Sequence, residues 1–384
     1  MRTGYLLLLA LGSVIFLSGC SDLGFYWQAA SGHLDLLNRK QDIRELLDSP
    51  DTSPKLKRRL KLVESVRAFA VSQMALPENE GYTGYVDLGR SYVTMVVTAA
   101  PELELKAHKW CYWFVGCQEY RGYFDEGDAR LYAEEMEQQQ LDVSVGPVTA
   151  YSTLGWLNKP WLPSYFSDPV LSTFIHRRDA DLIAVLIHEM AHQVVFVNND
   201  TSFNESFAVF VEQEGLRQFL IQSSNSDFFD GDGKEIYQWY LNARKDRKLF
   251  QQMIKITYDK MKILFASGLS VAEKHRNKQV LYDQLRENYE IGKKAFKVLS
   301  YDNWFAKNLN NTHLLGVQRY QIRVEQFAHL FEKQGRKWSQ FFEAVHSPTK
   351  TALSRKFTKK VSIKSLGLKV LNFLSVLVFK KRSY

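Results

Sequence analysis

The sequence predicts an α+β protein, with a small β-rich N-terminal half and a mainly helical C-terminal half. Two observations carry that expectation. Residues 92–99 and 143–151 are extended-looking, β-branched stretches bounded by turn residues. From residue 179 onward, apolar side chains recur at helical spacing in one segment after another. Composition sets the frame: 384 residues, 45% hydrophobic and 24% charged, with a mean hydropathy of −0.28. That is globular composition, and it excludes a disordered, collagenous or polytopic membrane chain.

Taken in order, residues 34–47 read as one helix. Ser53-Pro54 starts a second over 55–76, with Leu56, Leu60, Val63, Val66 and Ala70 at helical spacing. Gly81-Tyr82-Thr83-Gly84 is turn chemistry. A strand over 92–99 and an aromatic-rich extended piece over 109–115 follow. Gly127-Asp128 opens a polar helix to residue 140. Residues 143–151 are extended, with Gly146-Pro147 marking a bulge or a sheet edge. The Pro-rich run 159–169 is a loop. Helices are predicted over 181–197, 203–220, 234–265, 272–299, 313–332 and 338–345. No repeat or low-complexity linker interrupts them, so residues 20–354 are expected to form a single domain.

The net charge of +8 is placed unevenly. Residues 355–384 hold nine Lys/Arg and no acid, and residues 20–354 sum to −2. A basic body that grips nucleic acid is therefore excluded. The tail's Ser362, Ser365, Lys369, Asn372 and Ser375 draw a narrow polar stripe on an apolar helix. Its uncharged run 370–379 is too short to span a bilayer. An interfacial helix on anionic lipid fits this pattern; a helix packed on the body, or a disordered stretch up to about residue 364, is the alternative.

The N-terminus has signal-peptide layout over residues 1–19: Arg2, an apolar run from Tyr5 to Phe16, then small residues. Leu17-Ser18-Gly19-Cys20 resembles a bacterial lipobox. That resemblance implies a lipid on Cys20 and a protein held on the periplasmic side of the envelope. Ser21, rather than Asp, leans the expectation to the outer membrane. Export exposes Cys111 and Cys117 to oxidising conditions, where they are expected to form a disulfide across a six-residue separation, with two buried free thiols as the alternative.

The chemistry is concentrated in His188-Glu189-Met190-Ala191-His192. Histidines four apart project from one helix face and can share one metal. Neutral imidazoles suit Zn²⁺, one per chain. Glu189, beside the first histidine, stands where a general base for a zinc-activated water belongs. Glu205 is the candidate third ligand, completing a His₂Glu set with one open position. Ser202-x-x-Glu205 also spells a capping box, the competing role for that carboxylate. Glu212, seven residues on, could support a ligand histidine. An oxyanion needs a donor beside the metal, and Tyr120, Arg121, Tyr123 and Tyr151 are candidates.

HExxH followed by Asn204-Glu205-x-Phe207-Ala208 is similar to the gluzincin metallopeptidases. More closely, the chain resembles the bacterial family of predicted zinc aminopeptidases. The matching pieces include the lipobox, residues 115–124, Ala150–Trp156, and His188–His192 through Asn204–Ala208. The resemblance implies a gluzincin-like fold, zinc, peptide or protein substrates and release of N-terminal residues. The Gly-x-Met-x-Asn element of the large aminopeptidases is absent, which leaves exopeptidase against endopeptidase open. The remaining rival is a non-catalytic envelope lipoprotein whose zinc staples two helices; Asp179, Glu212 and His176 are then the candidates for a fourth ligand. Oligomeric state is not written in the sequence.

Overall fold

The computed structural model describes residues 24–112, 116–150, 153, 163–195, 197, 200–223, 226–229, 231–318 and 323–346. Cys20, Tyr151 and the basic tail 355–384 lie outside them. The fold is α+β. Helix α1 covers residues 24–38. A three-stranded sheet then begins with β1 (Gln41–Asp42), which pairs antiparallel with β2 (Gly84–Val86); β2 pairs parallel with β8 (Val170–Leu171). Between β1 and β2 lie α2 (Ile43–Asp48) and α3 (Pro54–Ser72). The helix expected over 34–47 is therefore broken in two. Residues 41 and 42 are drawn into strand pairing with Tyr85 and Gly84, and Asp42 then caps α2 by accepting from the Arg44 N–H. Tertiary pairing overrides local propensity here.

A second sheet has the order β6-β3-β7 and is antiparallel throughout, from β3 (Thr94–Pro101), β6 (Arg121–Tyr123) and β7 (Leu141–Val148). Gly146 and Pro147 sit opposite Val96 and Met95 on an edge strand, which has room for a residue lacking an N–H. One face of the sheet carries α4 (Glu126–Glu137), and Met95, Val97, Tyr123, Ala129 and Met136 form a cluster there. The other face gives Val96 and Val148 to the main core. A short hairpin, β4 (Trp110–Tyr112) and β5 (Gly116–Gln118), sets Cys111 opposite Cys117, and a disulfide joins them.

The helical half follows α5 (Ser172–Ile175). It comprises α6 (Asp179–Ala191), α7 (Thr201–Gln222), α8 (Gly233–Ala266), α9 (Val271–Gly292), α10 (Asp302–Phe305), α11 (Asn311–Gln318), α12 (Val324–Lys333) and α13 (Trp338–His346). Helix α9 ends seven residues before the predicted boundary. The backbone N–H groups of Lys297, Val298 and Leu299 donate instead to the buried Asp246 carboxylate on α8. The helix expected over 313–332 is α11 and α12. No helix among the described residues is long and apolar enough to cross a membrane.

Helix α6 is the axis of the main core. Twelve of its thirteen residues are buried, and α3, α7 and α8 pack around it. An all-round apolar helix belongs inside. Its N-terminus is fixed by charge: Arg59 on α3 pairs with Asp179, and both are almost fully buried. The same guanidinium donates to the carbonyls of Ile175 (2.8 Å) and Arg177 (2.6 Å).

Two buried ionisable groups make the fold's stability testable, Arg59 on α3 and His33 on α1. Arg59→Met takes the cation from a buried carboxylate and is expected to cost about 3–5 kcal/mol in denaturant unfolding. A loss below about 1 kcal/mol would mean that the pair does not hold α6. Second, burial, helped by Lys40, depresses the His33 imidazole pKa to about 4. Below its ordinary 6.5, the unfolded chain takes up a proton that the folded chain refuses, so stability falls as pH drops from 6.5 to about 4. His33→Gln is expected to remove about 3 kcal/mol of that acid dependence; an unaltered pH–stability curve would contradict it.

Candidate metal centre

The site is built where α6 ends and α7 begins. The sequence pattern expected one helix through residue 197, but α6 closes at Ala191 and His192 is its C-cap. The tightening is visible in short-range bonds, Gln193 N–H to Met190 O (3.1 Å) and Val194 N–H to Ala191 O (3.0 Å). The chain then turns back into α7. Asn204 anchors the turn with both ends of its amide: Oδ1 accepts from the Val197 N–H and Nδ2 donates to the Val197 carbonyl, each at 2.8 Å. Asp200 caps α7 by accepting from the Phe203 N–H (2.9 Å) and is itself held by Arg323 (3.0 Å). Asp200 is the cap, and Ser202 lies inside the helix. The capping-box role for Glu205 is thereby set aside.

Freed from capping, Glu205 faces the two histidines. Its Oε2 lies 3.6 Å from His188 Nε2, and its Oε1 lies 3.8 Å from His192 Nε2. The two Nε2 atoms are 3.2 Å apart. All three residues are buried, and their ligand atoms fall within 4.8 Å of one another. A buried group of this composition can hold a metal ion. Its dimensions also fit one: two nitrogens on a tetrahedral zinc, each at about 2.0–2.1 Å, stand about 3.3 Å apart. The donor set fits too, since two imidazoles and a carboxylate suit zinc.

Behind the group, Glu212 Oε2 lies 2.8 Å from His188 Nδ1. Glu212 sits two turns along α7 from Glu205, on the same face. Accepting at Nδ1 assigns that nitrogen the proton and turns the Nε2 lone pair towards Glu205 and His192. Glu189 is 4% exposed, one residue along α6 from His188, and is not one of the three gathered donors. Of the candidates for a fourth ligand, Asp179 is engaged by Arg59, Glu212 serves the far ring nitrogen and His176 is exposed at the end of α5. Among the described residues, the group has three donors.

The expected oxyanion donors are distributed differently. Tyr123 belongs to the cluster under α4, beside Phe25 and Tyr132, and that cluster shares no residue with the core around α6. Burial raises its hydroxyl pKa well above the ordinary value, with the neighbouring Arg121 opposing. The structure thus gives Tyr123 a packing role on the opposite sheet face. Arg121 faces the same way, its guanidinium 4.1 Å from the Phe25 ring centroid and 4.6 Å from that of Tyr132. Tyr120 packs against the main core. Tyr151 lies outside the described residues. The buried Asp168 accepts from both the backbone N–H and the hydroxyl of Thr153.

Residues 24–359 match the family described as "Putative aminopeptidase". The chain belongs to that family. The match runs from the start of α1 to beyond α13, so it takes in every element that builds the metal centre. No curated protein and no solved structure matches the chain. Family membership supports a peptidase-like function, and among the described residues the buried His188–His192–Glu205 group offers a donor set for such chemistry.

The role of Glu212 is open to direct measurement. If the group holds a divalent metal, Glu212→Gln is expected to weaken that binding about 10- to 100-fold, because the second ring nitrogen loses its charged acceptor. Competition against a chromogenic chelator reads this, with circular dichroism reporting the fold. Unchanged affinity would show that Glu212 does not act through His188.

Proposed function

We propose that the protein is a zinc-dependent metallopeptidase, most specifically an aminopeptidase. The observation that carries the reading is the convergence of His188, His192 and Glu205 from two helices, with His188 oriented by Glu212. His188 Nε2, His192 Nε2 and a Glu205 oxygen would hold the ion. When bound, it supplies Lewis acidity, which polarises a scissile carbonyl and makes water a nucleophile near neutral pH. A set of three protein donors supports a site with a coordination position left over, as catalysis requires and a structural staple does not.

The chain's own residues divide the remaining work. Glu189 accepts the proton of the attacking water and returns it to the leaving amine. Its place on α6, on the same helical turn as both ligands, fixes it beside them without joining them. Glu212 holds the His188 proton at Nδ1. Asn204 and Asp200 keep the α6–α7 turn closed, so that Glu205 meets both rings. A substrate's peptide backbone has β7, an edge strand of the second sheet, as a candidate partner for strand addition. Its substrates are peptides or proteins. The protein works on the periplasmic side of the envelope, held by a lipid on Cys20, with the tail 355–384 as a second contact to the membrane surface.

The test is a panel of aminoacyl-coumarins and matched N-acetylated peptides, with metal-loaded wild type and Glu189→Gln. Wild type is expected to release residues from free N-termini only. The variant is expected to keep the metal and lose at least about 10²-fold in kcat/KM. Cleavage of blocked peptides would move the assignment to an endopeptidase. Full activity in the variant would overturn the role of Glu189.

A further inference from the structure

The connection between α8 and α9 presents a rigid apolar tip with a basic rim. Residues 263–272, Ile-Leu-Phe-Ala-Ser-Gly-Leu-Ser-Val-Ala, contain no charge. Three of their large side chains stand in solvent: Ile263 is 73% exposed, Leu269 40% and Val271 65%. Apolar side chains scattered singly on a surface need no explanation, but three within nine residues at one end of a helical hairpin form a patch. Their neighbours Phe265 and Leu264 turn inward and pack on the second cluster with Met261 and Tyr282, so the exposed set is what that core does not use.

The tip is also held still. Ser270 and Glu273 form a reciprocal capping box, with the Ser270 N–H donating to Glu273 (2.9 Å) and the Glu273 N–H to Ser270 Oγ. Lys274 Nζ donates to the Phe265 carbonyl across the turn (2.9 Å). A surface already ordered pays little entropy on docking.

Charge identifies the occupant. Residues 233–292 carry twelve Lys/Arg against seven Asp/Glu, while residues 20–354 as a whole are net acidic. Around the tip, Lys260, Lys262 and Arg276 are exposed. The two acids nearest in sequence are already committed, Asp259 to Lys255 (2.7 Å) and Glu273 to the cap of α9, and Glu102, which reaches α9 from the first half of the chain, lies 3.5 Å from His275 Nε2. An uncharged knob ringed by cations matches a bilayer surface with anionic headgroups: apolar side chains enter the acyl boundary and the cations meet the phosphates. We infer that the α8–α9 tip docks on an anionic lipid bilayer through Ile263, Leu269 and Val271. The inference stands apart from the peptidase reading and from the lipid on Cys20.

Hydroxyl-radical footprinting of the full chain gives a readout local to the tip, whatever the N-terminus and the tail do. Vesicles of phosphatidylglycerol with phosphatidylcholine are expected to protect Ile263, Leu269 and Val271 several-fold from oxidation. Phosphatidylcholine alone is expected to leave them open. The triple change Ile263→Ser, Leu269→Ser, Val271→Ser should weaken partition to the anionic vesicles at least about tenfold, with the circular dichroism spectrum unchanged. Vesicle binding with the tip still fully oxidised would overturn the inference. So would failure to bind, or tip protection that grows with protein concentration in the absence of lipid, which would make the patch a self-association surface.

Discussion

The His188 ring is addressed from both sides by one helix. Glu212 meets its Nδ1 at 2.8 Å and Glu205 approaches its Nε2 at 3.6 Å, both from α7. A side chain hydrogen-bonded to one carboxylate of a neighbouring helix and faced by a second ties the register of the pair. One residue of slippage along α7 would rotate both carboxylates away by about 100°. The rest of the site inherits its geometry from this contact. His192, one turn further along α6, falls 3.2 Å from His188 Nε2, and Glu205 then spans the two. Burial of α6 serves the same register: the helix is anchored at its N-terminus by Arg59 and Asp179 and walled by α3, α7 and α8.

That rigidity has a complement in the turn between the helices. Asn204 bonds the Val197 backbone twice, and Asp200 both caps α7 and holds Arg323. The turn is thus closed by side chains, and it decides where Glu205 stands. The aromatic packing of Phe203 and Phe207 on Phe327 then ties the first turns of α7 to α12. The group is organised by hydrogen bonds at its edge and by apolar packing behind it, with the buried carboxylates Glu205 and Glu212 enclosed between the two.

Much of this was legible in the sequence, because helical periodicity carries it. His188 and His192 at a spacing of four, and Glu205 and Glu212 at a spacing of seven, are statements about one face of a helix. The α+β division was readable from β-branched runs in the first half and 3.6-residue periodicity in the second. What was not legible depends on partners distant in sequence. The break in the helix expected over 34–47 comes from pairing with Gly84 and Tyr85. The early end of α9 comes from Asp246, about fifty residues away. Tyr123 looked available because a turn-rich segment said nothing about which sheet face its ring would take; the pairing of Met95 with Tyr123 sends it to the α4 side. The dual role of Asn204 had only its place beside Glu205 as a signal.

The central claim is that three side chains from α6 and α7 hold one zinc with a position to spare. X-ray absorption at the zinc edge, on full-length protein loaded to saturation, addresses it most directly. The account predicts one zinc per chain, two imidazole nitrogens and oxygen donors at about 2.0–2.1 Å, no sulfur, and a first shell that changes when a small anion such as azide is added. Absence of stoichiometric zinc would contradict it. So would a shell of four protein donors that no added anion perturbs.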